Sequence, residues 1–396
     1  MIKVLSMKPK NNRIIRNYIG LVTLVAVLLS SCNVHEWPKE QEEVYPFVLN
    51  MDFDMELPLH KELFYSRDGF EEETSRYGDD AFDIRYKVNV YSVTDQNDEN
   101  RNVVYSYIFT QPYVENHNFQ VLLNLPEGNY RFRVWSDHVL SGTREDHFYQ
   151  TDDFAGIKLN QNNGHNGSNE FRDAFSGSAY GEVYDPEIYK LQKGEYPDNS
   201  ATALMKRPMG RYEFVSTDMD DFLNKAIQNM EAAKLAALLA KAASRTVDDT
   251  KGEDTKGEIF WNGLTRDEVA EAIGLGDYTV VFSYNAYMPD SYNLFADKTS
   301  DSSSGIFYES GLKIGDEGII LGFDYIIVEK ETIMNINMSI YNGEDILVAS
   351  TSRVEVPVAR SKNTVVKGSF LTVSNGGGVA IDPGFDGDDF NIKVGY

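Results

Sequence analysis

The 396-residue sequence contains one cysteine, Cys32. No intrachain disulfide can form, and neither can a CxxC redox pair or a zinc site built on several thiolates. Histidine is scarce too. His35, His60, His117, His138, His147 and His165 are dispersed, none pairs with another at metal-ligand spacing, and HExxH is missing. The sequence has no GxSxG elbow, no GxxxxGK[ST] loop and no GxGxxG after a strand, the signatures of α/β-hydrolases, P-loop NTPases and dinucleotide enzymes. Positive charge is the minority: 37 Lys and Arg stand against 62 Asp and Glu, a net charge of -25. Such a surface repels phosphate backbones and anionic membranes, which argues against nucleic acid as a partner. Long hydrophobic runs are missing as well. The longest, Tyr18 to Leu29, covers about a dozen residues, short of the ~20 a membrane-spanning helix needs.

That short run is informative because of what flanks it. Lys3, Lys8, Lys10, Arg13 and Arg16 precede it without any acidic residue, and small residues follow. Basic flank, short apolar core and small-residue exit make a secretory signal peptide over residues 1–31. The exit, Leu29-Ser30-Ser31-Cys32, resembles the bacterial lipobox. The resemblance implies cleavage before Cys32 and lipidation there by acyl chains such as palmitate. The only thiol in the chain stands where lipidation requires it. Removing 31 of 396 residues leaves 396 − 31 = 365, and removing five positive charges takes the net charge from -25 to -30. Residues 32–43 read as a flexible tether. Lys39 followed by Glu40, Glu42 and Glu43 resembles the surface-export tether of Bacteroidota lipoproteins, although a plain spacer gives the same pattern.

The rest of the chain reads as mainly β. Aromatic residues make up 12%. Apolar residues alternate with polar ones at Phe47/Leu49/Met51/Phe53, Ile84/Tyr86/Val88/Val90, Val103/Tyr105/Tyr107/Phe109 and Phe119/Val121/Leu123/Leu125. In LPEGNYRFRVW (125–135), Pro126 and Gly128 fit a tight turn, with Tyr130, Phe132 and Val134 on the inner face of a returning strand. Residues 55–80 read as irregular. Strands return at 211–215, 278–284, 319–328, 334–340, 354–358 and 364–373. One long helix is expected at 218–243, with Asp218, Asp220 and Asp221 at its start, and a short one at Thr265–Ile273, where Thr265 and Glu268 form a capping pair. Thr246–Gly257 reads as a charged loop. The expected organisation is an N-terminal antiparallel β-sandwich over 44–200 and a C-terminal one over 201–396 that carries the helix.

The chemistry-bearing candidates are few. Asp137-His138 and Asp146-His147 flank one loop where a divalent ion could sit. Asp382, Asp386, Asp388 and Asp389 surround a glycine turn with the ligand type calcium prefers, but in the wrong order for the usual loop. Trp37, Trp135, Trp261 and Tyr292 are candidate sugar-stacking surfaces. None selects a reaction, and the expectation is a non-enzyme without cofactor or metal: catalytic, cofactor-binding and metal residues none, lipidation at Cys32.

Together the lipobox, LPEGNYRFRVW, YQTDDF (149–154), RDAF (172–175) and NTVVKGSFLTVSNGGGVAIDPGFDG resemble a Bacteroidota surface lipoprotein family of unassigned function. It is similar in architecture to the FimB-like anchor and assembly lipoproteins of type V fimbriae. The resemblance implies tandem transthyretin-like sandwiches, attachment to the outer membrane through lipid at the cell surface, and fimbrial subunits or other surface proteins as partners. Thr364–Leu371 would be a C-terminal strand of the second domain. The alternative expectation is a glycan-binding lipoprotein of a nutrient-uptake complex.

Overall fold

The computed structural model describes residues 43–64, 81–94, 102–112, 119–162, 164–180, 189–193, 199–243, 259–315 and 318–372. Cys32, the expected signal peptide over 1–31, the expected tether up to residue 42, Trp37, Thr246–Gly257, Asp382–Asp389 and the residues from 373 on lie outside them. Among the described residues no helix is long and apolar enough to cross a membrane.

The period-two stretches become strands of an eight-stranded sheet. It contains β1 (Val44–Phe53), β3 (Phe82–Ser92), β4 (Val103–Pro112), β5 (Phe119–Pro126), β6 (Gly128–Leu140), β9 (Phe175–Tyr180), β10 (Tyr189–Leu191) and β11 (Ser200–Lys206). Their order is β4-β3-β6-β9-β11-β1-β5, with β10 on β6. The expected inner faces are buried: Ile84, Tyr86, Val88 and Val90 on β3, and Tyr130, Phe132 and Val134 on β6. The turn at Glu127, however, does not make a hairpin. β5 pairs with β1, whereas β6 lies between β3 and β9, so the chain crosses from one edge of the sheet to its middle. The sheet curls far enough for Phe119 of β5 to stack on Tyr86 of β3, with centroids 4.1 Å apart. Phe47, Leu49, Leu123, Phe132 and Met205 are part of the core inside this curl.

A second, larger core lies among the remaining sheets. One sheet has the order β19-β20-β12-β23-β2, from β2 (Leu59–Phe64), β12 (Met209–Ser216), β19 (Lys313–Gly315), β20 (Gly318–Ile327) and β23 (Asn363–Gly368). Another has the order β18-β15-β21-β22, from β15 (Thr279–Tyr284), β18 (Phe307–Gly311), β21 (Glu331–Tyr341) and β22 (Leu347–Ala359). A third runs β17-β16-β8-β7, from β7 (Tyr149–Gln150), β8 (Ile157–Leu159), β16 (Met288–Asn293) and β17 (Lys298–Ser303). β13 (Ile259–Trp261) and β14 (Leu264–Thr265) pair with each other. Where β12 crosses β22 the backbones nearly touch. A Cβ on Gly210 would stand 2.1 Å from the Ala359 carbonyl oxygen, so only glycine fits.

The fold is mainly β, as expected, but three features differ from the sequence reading. The pairing is not purely antiparallel: β1 runs parallel to β11, and β23 runs parallel to both β12 and β2. Parallel neighbours need long connections, and here the partners are far apart in the sequence. β2 itself falls in the stretch expected to be irregular. Its sequence LHKELF has no alternation, and it is a strand because β23 offers it a backbone partner.

The third difference is the helix at 218–243, which is two: α1 (Met219–Asn229) and α2 (Ala232–Ala243), broken where Met230 turns extended. Geometry requires the break. At about 100° per residue, the buried stripe of α1 (Met219, Phe222, Leu223, Ile227) and the inward residues of α2 (Leu235, Leu238, Leu239, Ala242) would point roughly 135° apart on one straight helix. The short helix α3 (Arg266–Ile273) forms as expected. Thr265 and Glu268 make a capping box, and Gly274 closes the helix at φ 69°.

β22 shows how a register is corrected. Ala349 and Thr351 are buried before its bulge, and Val354, Val356 and Val358 after it, so the inward parity changes. Arg353, at φ 57°, is the extra residue, and its N–H donates to Asn337 Oδ1 on β21 at 2.9 Å.

Candidate partner-binding surface

The buried charges come first, because each could have been a reaction centre. Arg172 and Asp324 form an ion pair buried in the second core. Asp324 also accepts from the Tyr284 hydroxyl and lies 2.5 Å from His165 Nε2, which is in turn 3.0 Å from Arg172 Nη1. Tyr212 sits 2.7 Å from the Tyr284 hydroxyl and 3.2 Å from that of Tyr308. The cluster fastens the loop ahead of β9 to β20. Ser168 N donates to Phe323 O at 2.7 Å, and Gly167 lies so flat on Tyr308 that a Cβ would meet the ring at 2.3 Å. Every polar atom named here is spent on another protein atom, and the cluster is a strut between strands.

The loop pair singled out as a possible ion site has the same fate. Arg85 donates to Asp137 at 2.9 and 2.7 Å and to Asp146 at 2.7 Å, so a guanidinium stands where a divalent ion would. Arg207 does likewise for Asp173, at 2.9 and 2.8 Å, while its Nη1 donates to the carbonyls of Met55 and Glu56. His138 and His165 are buried, not solvent-facing as dispersed loop histidines usually are. Of the candidate stacking aromatics, Trp135 and Tyr292 are in the core, at 0% and 1% exposure. Trp261 packs half-buried against the second core.

Burial lowers the pKa of His138 and His165, against the upward pull of Asp173 and Asp324 respectively. For Asp324 burial alone would raise the pKa, but Arg172 and His165 outweigh it and hold the carboxyl below the ordinary range. The signs agree. A histidine whose folded pKa is depressed favours the unfolded chain once pH falls below about 6.5, and Asp324 adds a loss of the same sign below about pH 4. The melting temperature should therefore fall from pH 7.5 to pH 5.5. A thermal-denaturation series over that range checks it, and a flat profile would contradict the buried, neutral imidazoles.

With the internal charges accounted for, two surfaces remain. The first is the exit of the chain. Asp218 stands at the N-terminus of α1 but does not cap it. Its carboxylate instead accepts from Leu371 N at 3.2 Å, Thr372 N at 2.7 Å and Thr372 Oγ1 at 2.6 Å. Ser216 Oγ, bonded to the same carboxylate, accepts from Phe370 N at 3.0 Å. The β12–α1 turn is thus a clamp for residues 370–372. Beside it lies a groove of ≈ 710 Å³, lined by Phe222, Ile273, Tyr278, Val348 and Leu371, with Lys225, Asn229, Glu231 and Lys234 among its polar residues. A neighbouring groove of ≈ 720 Å³ carries Lys234 and Lys241 against Glu268, Glu271, Asp277 and Glu344.

The second surface is the pair of edges of the eight-stranded sheet. Among the described residues β4 pairs only with β3, and β5 only with β1. Each leaves a row of backbone groups open along one side. β4 is less buried than its alternation suggests: Val103 and Val104 are 45% and 42% exposed, and Tyr105, Tyr107 and Phe109 are half-buried. On β5 Leu122 is 61% exposed. The edges face each other closely enough for the Tyr107 hydroxyl to reach Asn124 O at 3.4 Å.

The model of a family of unknown function, DUF6562, matches residues 42–394. The chain belongs to this family. The match runs from the tether into the tail and takes in every described element of the DUF6562 chain. No curated protein matches it significantly. Among solved structures, the fimbrial anchor protein Mfa2 of Porphyromonas gingivalis is similar at 11% identity and a TM-score of 0.33, over 78% of this chain and 82% of that one. A candidate adhesin of Bacteroides ovatus is similar at 10% identity and a TM-score of 0.36, over 82% and 89%. A candidate cell-adhesion protein of Bacteroides eggerthii is similar at 10% identity and a TM-score of 0.36, over 86% and 91%. The sequence motifs resemble a family of unassigned function, and the family whose model matches is one of unknown function.

Proposed function

We propose that this protein is a non-enzymatic lipoprotein of the outer membrane, lipidated at Cys32, which holds or assembles a fimbrium-like structure or acts in adhesion at the cell surface. The observation that supports this reading best is the pair of open edges, β4 and β5, in a protein whose buried pairs Arg85–Asp137, Arg172–Asp324 and Arg207–Asp173 are closed internally. An exposed strand edge recruits an extended segment of another chain through backbone hydrogen bonds, a binding mode that needs no reaction centre. On this reading the two cores are sandwiches of transthyretin-like type, over 44–200 and 201–396, with β2 and residues 148–174 lent by the first to the second. The chain exit beside the helical unit is, on this reading, a second part of the partner site, which residues 374–396 border.

Truncation after Val373 tests this arrangement. The clamp at Ser216 and Asp218 and the buried Phe370 and Leu371 are all retained, so the melting temperature should stay within a few degrees. Partner capture, measured by crosslinking on intact cells, should be lost. Undiminished capture by the truncated protein would remove the tail from the site.

A second reading, binding of surface glycan, has its own observation. Tyr287 is 71% exposed and Phe307 59%, both near one end of β15, where Asn285 and Asn337 form an exposed amide pair. Flat aromatic faces beside amides suit sugar rings. A glycan array distinguishes the two: binding that Tyr287→Ala and Phe307→Ala abolish favours this second reading.

A further inference from the structure

The groove beside the chain exit has an unusual charge for this protein. The chain as a whole carries -25, yet Lys225 and Lys234 line the groove against one acidic residue, Glu231. The neighbouring groove has the opposite balance, two lysines against Glu268, Glu271, Asp277 and Glu344. The floor of the first groove is apolar, with Tyr278 and Val348 only half-buried. Thr372 is part of its wall, fixed there by Asp218, and 24 residues, 373–396, follow it in the sequence.

The sequence of that tail complements the groove. Gly376-Gly377-Gly378 comes first, permitting a reversal of direction. Asp382, Asp386, Asp388 and Asp389 then stand against one lysine, Lys393. Phe390, Ile392, Val394 and Tyr396 alternate with Asn391, Lys393 and Gly395, a period of two that puts four apolar side chains on one face. At about 3.3 Å per extended residue, eighteen residues beyond the glycines reach much farther than any groove of this size requires. Tethering supplies the rest. An effective concentration in the millimolar range fills a site to about 90% even when the untethered segment would bind at only ~100 μM.

We propose that residues 379–396 dock in cis in this groove, with apolar side chains against Tyr278 and Val348 and aspartates toward Lys225 and Lys234. The groove is then a receptor for an extended, acidic, alternating apolar segment, and the chain's own tail is its resident occupant. This assignment stands independently of the adhesion reading, because groove, clamp and tail all belong to one chain.

The test is site-specific photocrosslinking in the full mature chain carrying Cys32→Ala. A benzophenone amino acid replaces the exposed Asn229 at the groove, or Tyr287 outside it as a control. Mixing isotopically light and heavy protein separates crosslinks within a chain from those between chains. Intrachain crosslinks from position 229 to residues 374–396 should exceed those from 287 several-fold. The exposed pair Lys225→Glu and Lys234→Glu should cut their yield by roughly 5- to 10-fold without shifting the melting temperature. Crosslinks from 229 that avoid the tail overturn the proposal. So do mixed-isotope crosslinks, which would put a second copy's tail in the groove, and a yield indifferent to the charge reversals.

Discussion

Arg172→Leu should lower the melting temperature at pH 8 by on the order of 10 °C. The substitution leaves the Asp324 carboxylate, 1% exposed, without its guanidinium. Breaking a buried pair from one side costs about 3–5 kcal/mol, and a domain of this size loses about 2–4 °C per kcal/mol. His165 makes the expectation sharper. Its Nε2 remains 2.5 Å from Asp324, and with Arg172 gone an imidazolium is the only cation in contact with that carboxylate. Burial still lowers its pKa, but the lowering by Arg172 is gone, so the folded pKa should rise from its depressed position in the wild type. Protonating His165 on going from pH 8 to pH 5.5 then costs the variant less stability than it costs the wild type. The deficit should therefore be smaller at pH 5.5 than at pH 8. The Arg172→Leu/Asp324→Leu double variant should lose less than the two single changes summed, since it buries no lone charge. Calorimetry at both pH values checks each statement. Equal deficits at pH 5.5 and pH 8 would contradict the role given to His165.

Cys32→Ala should abolish fatty-acid labelling and release the protein from the membrane fraction. Lipidation at Cys32 is part of the proposed function, and the reason for a complete effect is arithmetic. The sequence offers no second thiol to acylate, and no described helix could anchor the chain instead. A single acyl chain holds a protein marginally, two or more hold it stably, and with none an acidic chain of this kind has no affinity for anionic lipid. Metabolic labelling with a tagged fatty acid, followed by fractionation, decides the matter. Equal label in wild type and variant would contradict the assignment of Cys32.

Much of the local structure was legible in the chain. Met334, Ile336, Met338 and Ile340 alternate without interruption, and all four are buried on β21. Thr265 and Glu268 announced the start of α3, since a capping box satisfies its N–H groups within four residues. What failed was whatever depended on a partner distant in sequence. β2 has no alternating pattern and exists because β23 lies beside it. Tyr292 looked like a surface aromatic, yet it is closed over by the second core. The break between α1 and α2 has no glycine or proline to mark it and follows from the two directions in which core is available. The grooves and the Asp218 clamp were equally invisible. Asp218 reads as one of three acids at a helix start, and only the return of the chain at residues 370–372 gives its carboxylate its donors.

The sequence by itself determined the strands whose apolar residues alternate, such as β1, β3 and β21, and which face of each is apolar, because side-chain alternation and capping act over a few residues. It also determined that no disulfide is available and that Cys32 is the one candidate for a lipid. Only the tertiary structure decided which strands are neighbours, which edges stay open, and which charges disappear into pairs such as Arg85–Asp137 and Arg172–Asp324. Those outcomes depend on contacts between residues more than fifty positions apart, whose pairing no local pattern encodes.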